Sequence, residues 1–342
     1  MVDTSRNRWL AALPVVGAVV FAVVLVRTAW LCDDAYITLR TVDNVVHGYG
    51  LVWNTFERVQ SFTHPLWTLL LSAVYWFTRE AYYTTIFVAI AVSIAAALVL
   101  AFGVARNHWS GLVAVVALVL SKPFVDFSTS GLENPLSHLL LFLFLAVYFR
   151  TSRGIRELTL LTFLASLAAI NRHDTIILYV PALIPVFWQL RSRRAFAAFL
   201  AGVTPLLTWS LFSLWYYGFL FPNTASAKLN NGIPSELLQK QGMTYLANLY
   251  QWWPYSALLI ALAVVLAFGL RRRAHLPLAL GIMLYLLYVA RVGGDYMTGR
   301  FFTLPIAAAV ALLARYDYST ALGSRRALAA GGELRPEDRV KD

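Results

Sequence analysis

Several stretches of this chain stay apolar for the full thickness of a bilayer, and that feature narrows its possible folds more than any other. A spanning helix takes about 20 predominantly apolar residues. Residues 9–31, 86–104 and 195–215 reach that length with almost no charge. The same rule gives about ten such windows, some short or broken by proline. Hydrocarbon offers no partner for backbone polar groups, so such windows fold as helices that satisfy their own hydrogen bonds. With 59% hydrophobic and 13% charged residues, the chain has more apolar surface than a soluble domain can bury. The expected fold is therefore an all-α, polytopic integral membrane protein over residues 1–317. A polar tail over 318–342, with Gly331, Gly332 and Pro336, is expected to be disordered and cytoplasmic. No internal repeat is visible, and no soluble domain is expected before or after the bundle. The single cysteine, Cys32, excludes an intramolecular disulfide and reads as a small apolar residue.

Charge placement gives an orientation. The net charge of +11 does not point to nucleic acid, because the arginines stand at the ends of apolar windows and not along one polar face. The first window follows Arg6 and Arg8 but is too long for a signal-peptide core and lacks a cleavage site, so it reads as an uncleaved anchor. With the N-terminus cytoplasmic, the inner loops fall at Arg106; at Arg150, Arg153 and Arg156; at Arg191, Arg193 and Arg194; and at Arg271, Arg272 and Arg273, as the positive-inside rule requires. Both termini are then cytoplasmic in a multi-pass protein of the plasma membrane. The outer segments are a long first loop over 32–83, then 122–134, 172–174, a late loop over 219–252, and 291–300. They hold Asp33, Asp34, Asp43, Glu57, Glu80, Asp126, Glu133, Asp174, Glu236 and Asp295, against Asp3 and Glu157 on the inner side before residue 317. Acidic residues contribute little to orientation. Taken singly they can serve to solvate loops, but their gathering at helix mouths points to use. Residues 64–78 are too short for a span and would invert every later loop, so they read as an interfacial helix. Trp53, Trp67, Tyr75 and Trp76 suit that depth.

Six groups of residues can carry chemistry, most with a plainer alternative. Asp33 and Asp34 stand where the first helix leaves the lipid, and a partly desolvated carboxylate there is what a general base needs; capping is the alternative. Arg40 and Asp43, one helical turn apart, present polar groups along one side of an interfacial helix or form a structural salt bridge. Glu133 and Asn134 precede Pro135 at the start of a new span, where they can merely cap it. Asn171, Arg172, His173 and Asp174 are wedged between two apolar windows, and polar groups there are usually partnered and functional. Late in the chain, Asn223 and Lys228 mix amide and ammonium groups, with Lys228 suited to phosphate. Arg291, Gly293, Gly294, Asp295 and Arg300 combine flexible backbone with two cations around a carboxylate, fit either for a ligand or for a tight hairpin stitched by an ion pair. Walker loops and HExxH helices are absent, as is the GxSxG elbow. An already activated donor outside the cytoplasm fits that absence.

The strings DDAYITLR with GYGLVWN, ERVQSFTHPLW, GLENPL, NRHD, FPNTASAK and GGDYMTGRF occur in this order. Through them the chain resembles the GT-C class of polyprenyl-phosphate-sugar glycosyltransferases, and within it the terminal arabinofuranosyltransferases of mycobacterial and corynebacterial cell walls. The resemblance implies a GT-C bundle whose first outer loop covers a cavity open to lipid and to the outer aqueous space. It implies a decaprenyl-phosphate arabinofuranose donor and an acceptor at the arabinan ends of arabinogalactan or lipoarabinomannan. It also implies a catalytic aspartate at the start of the first outer loop, Asp33 or Asp34, with Asp33 slightly favoured. Family members are longer and carry an extracytoplasmic C-terminal domain; this chain ends after roughly the tenth expected span, as a truncated form or as a shorter relative with another acceptor.

A sugar phosphate already has a good leaving group, so the protein must orient the acceptor, take its proton and stabilise the departing phosphate. On that scheme Asp33 or Asp34 is the base, and Lys228, Arg291 and Arg300 meet the phosphate. His64, Glu133, Asp174 and Asp295 serve the sugars or a second charge, with Arg40, Arg172, His173 and Asn223 among the substrate-binding residues. A divalent cation (Mg, Mn or Ca) between outer carboxylates is a further option. Expected partners are the donor lipid, the polysaccharide acceptor and membrane lipid, with no nucleic acid. The alternatives are a GT-C enzyme using another sugar such as mannose, a transporter or flippase, and a catalytically silent subunit of the same fold. Pocket shape chooses the sugar, and the separation of reacting groups decides retention or inversion.

Overall fold

A computed structural model describes residues 4–150, 154–222 and 232–316. Among these residues the chain is helical with no strand. The expected tail over 318–342, together with Asn223 and Lys228, lies outside the described residues. In chain order the α-helices are α1 (Thr4–Thr28), α2 (Asp33–Val46), α3 (Pro65–Thr78), α4 (Ala81–Leu98, prolonged by a π-helical turn Val99–Val104), α5 (His108–Val119) and α6 (Lys122–Asp126). They continue with α7 (Asn134–Tyr148), α8 (Ile155–Asn171), α9 (Ile176–Leu190), α10 (Arg193–Tyr217), α11 (Ser235–Trp252), α12 (Pro254–Gly269), α13 (Leu276–Arg291) and α14 (Thr303–Leu313).

Three helical stretches are individually long and apolar enough to cross a bilayer: Ala81–Val104, His173–Leu190 and Arg193–Tyr217. The number is five if α1 with α2, bent by 92°, and α11 with α12, bent by 105°, each count as one span. The other apolar helices are shorter than a full span, so length and composition do not establish the expected ten. The 92° bend turns α2 out of line with α1, and α3 lies in the segment expected to hold an interfacial helix. One expectation changes here. Trp67 is fully buried, its indole N–H donating to the Gly131 carbonyl at 2.9 Å, so it fastens α3 to the bundle and is no interfacial anchor. The late segment expected as an outer loop over 219–252 carries α11 in its second half.

Small residues let the helices approach. A Cβ on Gly202 of α10 would collide with the Thr162 side chain of α8; on Gly242 of α11, with the Ala290 carbonyl of α13; on Gly281 of α13, with the Leu178 carbonyl of α9. Lipid tails are as apolar as leucine, so close backbone approach supplies much of the attraction between such helices.

The helices pass back and forth between two sets of loops. At one end, turns rich in arginine meet. The Arg106 N–H donates to the Ala314 carbonyl at 3.1 Å, and Arg315 Nη1 donates to the Val104 carbonyl at 3.1 Å. The Arg272 guanidinium lies 5.1 Å from the Tyr316 ring centroid. The carboxylates gather at the other end, and several have local duties. Glu80 caps α4, accepting from the backbone N–H groups of Tyr82, Tyr83 and Thr84. Asp126 pairs with Lys122 at 2.6 Å, Asp43 accepts from the Tyr75 hydroxyl at 2.7 Å, and Glu57 accepts from Asn54 at 2.6 Å. Arg40 donates to the Trp53 carbonyl at 3.0 Å and stacks over that indole at 4.1 Å; it braces the first loop and does not pair with Asp43.

Valine at Gly202 or Gly242 is expected to lower stability by about 1–3 kcal/mol, the usual cost of forcing extra methyl groups into a packed crossing. Thermal unfolding in detergent checks this, with Gly269→Ala, which faces open space, as the unaffected control.

Candidate functional site

The turn before α7 fixes the centre of the acidic end. Gly131 has φ +82, and a Cβ there would strike Ala35 of α2 and Leu31, so the turn needs glycine to fit beneath the first loop. Glu133 follows, 1% exposed. Expected as a cap, it makes no capping bond and instead holds two arginines. Arg300 Nη2 donates to both of its oxygens at 3.1 Å, and Arg172 Nη1 donates to Oε1 at 3.2 Å. His64 Nδ1 stands 3.2 Å from Oε2. The carboxylate can only accept, so Nδ1 carries the proton and Nε2 accepts from the Thr38 hydroxyl at 2.7 Å.

Each arginine reaches outward to a second acid. Arg172 forms a two-pronged pair with Asp174, 2.8 Å from Nε to Oδ1 and 2.9 Å from Nη2 to Oδ2, and its face covers the Phe301 ring at 4.0 Å. Tyr285 donates its hydroxyl to Asp174 at 3.2 Å. Arg300 Nη1 donates to Asp295 at 3.2 Å and lies 4.0 Å from Asp34. Asn171 donates to the Glu133 carbonyl at 3.0 Å and to Ser137 at 2.9 Å; Asn134 donates to Thr303 at 3.0 Å. Loops far apart in sequence thus close on one buried carboxylate.

The electrostatics follow from burial. Burial alone would raise the Glu133 carboxyl, but Arg300, His64 and Arg172 together hold it well below the usual carboxylate range. Burial pushes His64 down to about 4 despite the nearby Glu133, so it is neutral at physiological pH. Burial opposes charge on Arg172 and Arg300, yet their carboxylates outweigh it and raise both.

A cavity of about 230 Å³ opens beside this network. Arg172, His173, Asp174, Asp295 and Arg300 line it together with Thr63, Phe221, Tyr288 and Phe301. Asp33 and Asp34 do not line it; they stand at the start of α2, joined to it through Arg300. Asp33 is exposed and accepts from Tyr296 at 3.3 Å, and Asp34 is half-buried. Arg291 is exposed and lies in neither group. It lines a separate groove of about 460 Å³ with Gln239, Met243, Leu284 and Leu287, and Tyr288 borders both groove and cavity. Gly294 lines the cavity with its backbone, and the Tyr245 ring packs where a Cβ would stand. The Asp295–Arg300 pair of the hairpin alternative is present. Among the described residues no group of three or more His, Cys, Asp or Glu is arranged to hold a metal ion. Sequence reasoning passed over Thr38, Tyr285, Tyr288 and Tyr296. The spacing of Tyr285 and Tyr288, six and three residues before Arg291 on an apolar helix, was the available signal.

Glu133→Ala is expected to destabilise the protein by about 3–5 kcal/mol, because two guanidinium groups are left buried without their shared acceptor; Glu133→Gln should recover part of this in thermal unfolding. The low His64 pKa sets an acid limit. An unfolded histidine takes up a proton near 6.5 while the folded one resists until about 4, so stability is full above pH 6.5 and falls on acidification between those values. Melting curves across that window should flatten in His64→Gln.

Comparison with known proteins supplies two relatives. The chain is 29% identical, over 87% of its length and 54% of the other protein, to the terminal beta-(1->2)-arabinofuranosyltransferase of Mycobacterium tuberculosis. It is 28% identical, over 81% of its length and 46% of the other, to the protein of the same name from Corynebacterium glutamicum. No protein-family model matches, and no solved structure matches. The chain spans about half the length of these curated relatives. Over most of its own length it is similar to two glycosyltransferases, the relatives to which its motif strings point.

Proposed function

We propose that this chain is a membrane glycosyltransferase that moves arabinofuranose from a decaprenyl-phosphate carrier to the ends of cell-wall arabinan on the extracytoplasmic face, with the arginine-rich turns in the cytosol. The observation that carries the reading is the meeting of acidic loops on Glu133 beside a cavity that adjoins an apolar groove with a cation at its mouth. That pairing suits a substrate with an isoprenoid tail, a phosphate and a sugar. The similarity to the two arabinofuranosyltransferases supports the same choice of sugar.

In this scheme the isoprenoid lies against Leu284 and Leu287, and its phosphate meets Arg291, with Lys228 as a second cation. The sugar enters the cavity, where Asp174, Asp295 and His173 offer hydrogen bonds to its hydroxyls. Arg172 and Arg300 supply positive potential from beneath, while Glu133 and His64 hold them in place and reach substrate only through them. One carboxylate of the pair at the start of α2 takes the proton from the acceptor hydroxyl as its oxygen bonds the anomeric carbon. The bond from that carbon to the phosphate breaks, and the phosphate leaves with the electron pair. Asp33 is the freer of the two, since Asp34 leans toward Arg300.

Purified protein in lipid, given radiolabelled decaprenyl-phosphate arabinose and a short arabinan, is expected to elongate the acceptor. Asn at the catalytic aspartate should slow turnover by about 10²- to 10⁴-fold, the range for a lost general base. Turnover that survives both Asp33→Asn and Asp34→Asn sinks the base assignment, and no transfer from any lipid-linked sugar sinks the enzyme reading. Arg291→Gln should raise the donor KM about tenfold, as loss of one charge-assisted contact does, while kcat changes little.

A further inference from the structure

The basic end carries a second arrangement that sugar transfer does not use. Arg106, Arg272 and Arg315 come together from three turns. Arg106 N–H bonds Ala314, the residue before Arg315, and Arg315 reaches across to the Val104 carbonyl. Aromatic rings hold two of the cations in place: Arg315 lies over Phe149 at 4.8 Å and Arg272 over Tyr316 at 5.1 Å. Between those rings sits His275, 4% exposed, with no hydrogen-bond partner at Nδ1. Among the described residues neither Arg272 nor Arg315 has a carboxylate partner. Burial, then repulsion from Arg106 and Arg272, pushes the Arg315 guanidinium below its ordinary value. Arg272 and Arg315, crowded in this way, call for an anion.

An apolar furrow begins at the same place. Its volume is about 700 Å³, and its lining runs from Asn107 and Ala314, the neighbours of two of the arginines, to Leu120 and Tyr255 at the far ends of α5 and α12. The 12 residues of α5 extend about 18 Å at 1.5 Å each, slightly more than one leaflet of a hydrocarbon core about 30 Å thick. Trp109 stands at the mouth, where an indole suits the headgroup level.

We infer that this end binds one anionic phospholipid of the surrounding leaflet, its phosphate on Arg272 and Arg315 and one acyl chain in the furrow between α5 and α12. Charge selects the headgroup, since guanidinium groups bind phosphate and a net anionic head brings no cation of its own beside them, whereas the ammonium of a zwitterionic head does, and the continuous furrow selects a chain-bearing lipid over a free anion. The site lies at the opposite end of the helices from the sugar cavity, so it stands whether or not the proposed transferase activity does.

The test uses the full chain in detergent. Phosphatidylglycerol is expected to raise its melting temperature and to survive as a bound lipid in native mass spectrometry. Phosphatidylcholine with the same chains, and inorganic phosphate, should do neither. The double change Arg272→Gln with Arg315→Gln should weaken phosphatidylglycerol binding about tenfold or more, as loss of charge-assisted contacts does. Should that variant fold poorly, Val113→Trp and Val116→Trp fill the furrow from exposed positions and should also abolish the stabilisation. Arg194→Gln, on another basic turn, should leave it intact. Equal stabilisation by both lipids, stabilisation by inorganic phosphate alone, or binding that persists in the furrow-filled variants overturns the inference.

Discussion

One buried carboxylate shared between two guanidinium groups organises the acidic end of this protein. Glu133 sits almost without exposure between Arg172 and Arg300, and a charge taken that far from water is tolerable only when paired and hydrogen-bonded. The neighbouring features follow from that need. Gly131 makes the turn that brings Glu133 inward, Asn171 and Asn134 secure the backbone on either side, and neutral His64 fills the remaining face without adding a competing charge. Asp174 and Asp295 then occupy the outward prongs of the arginines and present carboxylates to the cavity. What substrate would meet is a shell of acids whose positions are dictated by a core it cannot touch.

Much of this was legible in the sequence, though not its depth. The strings around residues 33, 133, 172 and 295 announced their importance by placing charge at the ends of apolar windows, and the structure brings all four together. Arg40 and Arg291 looked equivalent to Arg172 and Arg300 by the same criterion, yet one is stacked on Trp53 and the other faces a separate groove. The difference lies in which side of a helix turns inward. A soluble helix reveals that through its alternation of apolar and polar residues. Here α9, α12 and α14 are apolar all round, so periodicity is silent and only packing decides. Tyr285, Thr38 and Trp67 were opaque for a different reason. Their roles depend on partners 111, 26 and 64 positions away.

Several outer carboxylates proved to have local work, among them Glu80 as a helix cap and Asp126 in a pair one turn long. Their presence inflated the apparent concentration of acid on one side, and nearness to a cation along the chain does not separate them from the acids of the network, since Asp174 stands two positions from Arg172 and Asp295 five from Arg300. Glu133 stands apart: it has no lysine or arginine within ten positions on either side, and it recruits cations from elsewhere.

The network also imposes an order on biogenesis. Its members come from positions 34, 64, 133, 172 and 295–300, so a ribosome has delivered Glu133 and Arg172 long before Arg300 emerges. Until then the carboxylate holds a single arginine, and the space later filled by Arg300 is open. Insertion of the final helices therefore does more than add length, because it delivers the last counter-charge and lets the earlier helices lock. A quality-control protease that samples nascent membrane proteins would meet an unlocked bundle until the closing turn arrives, and a settled one immediately after.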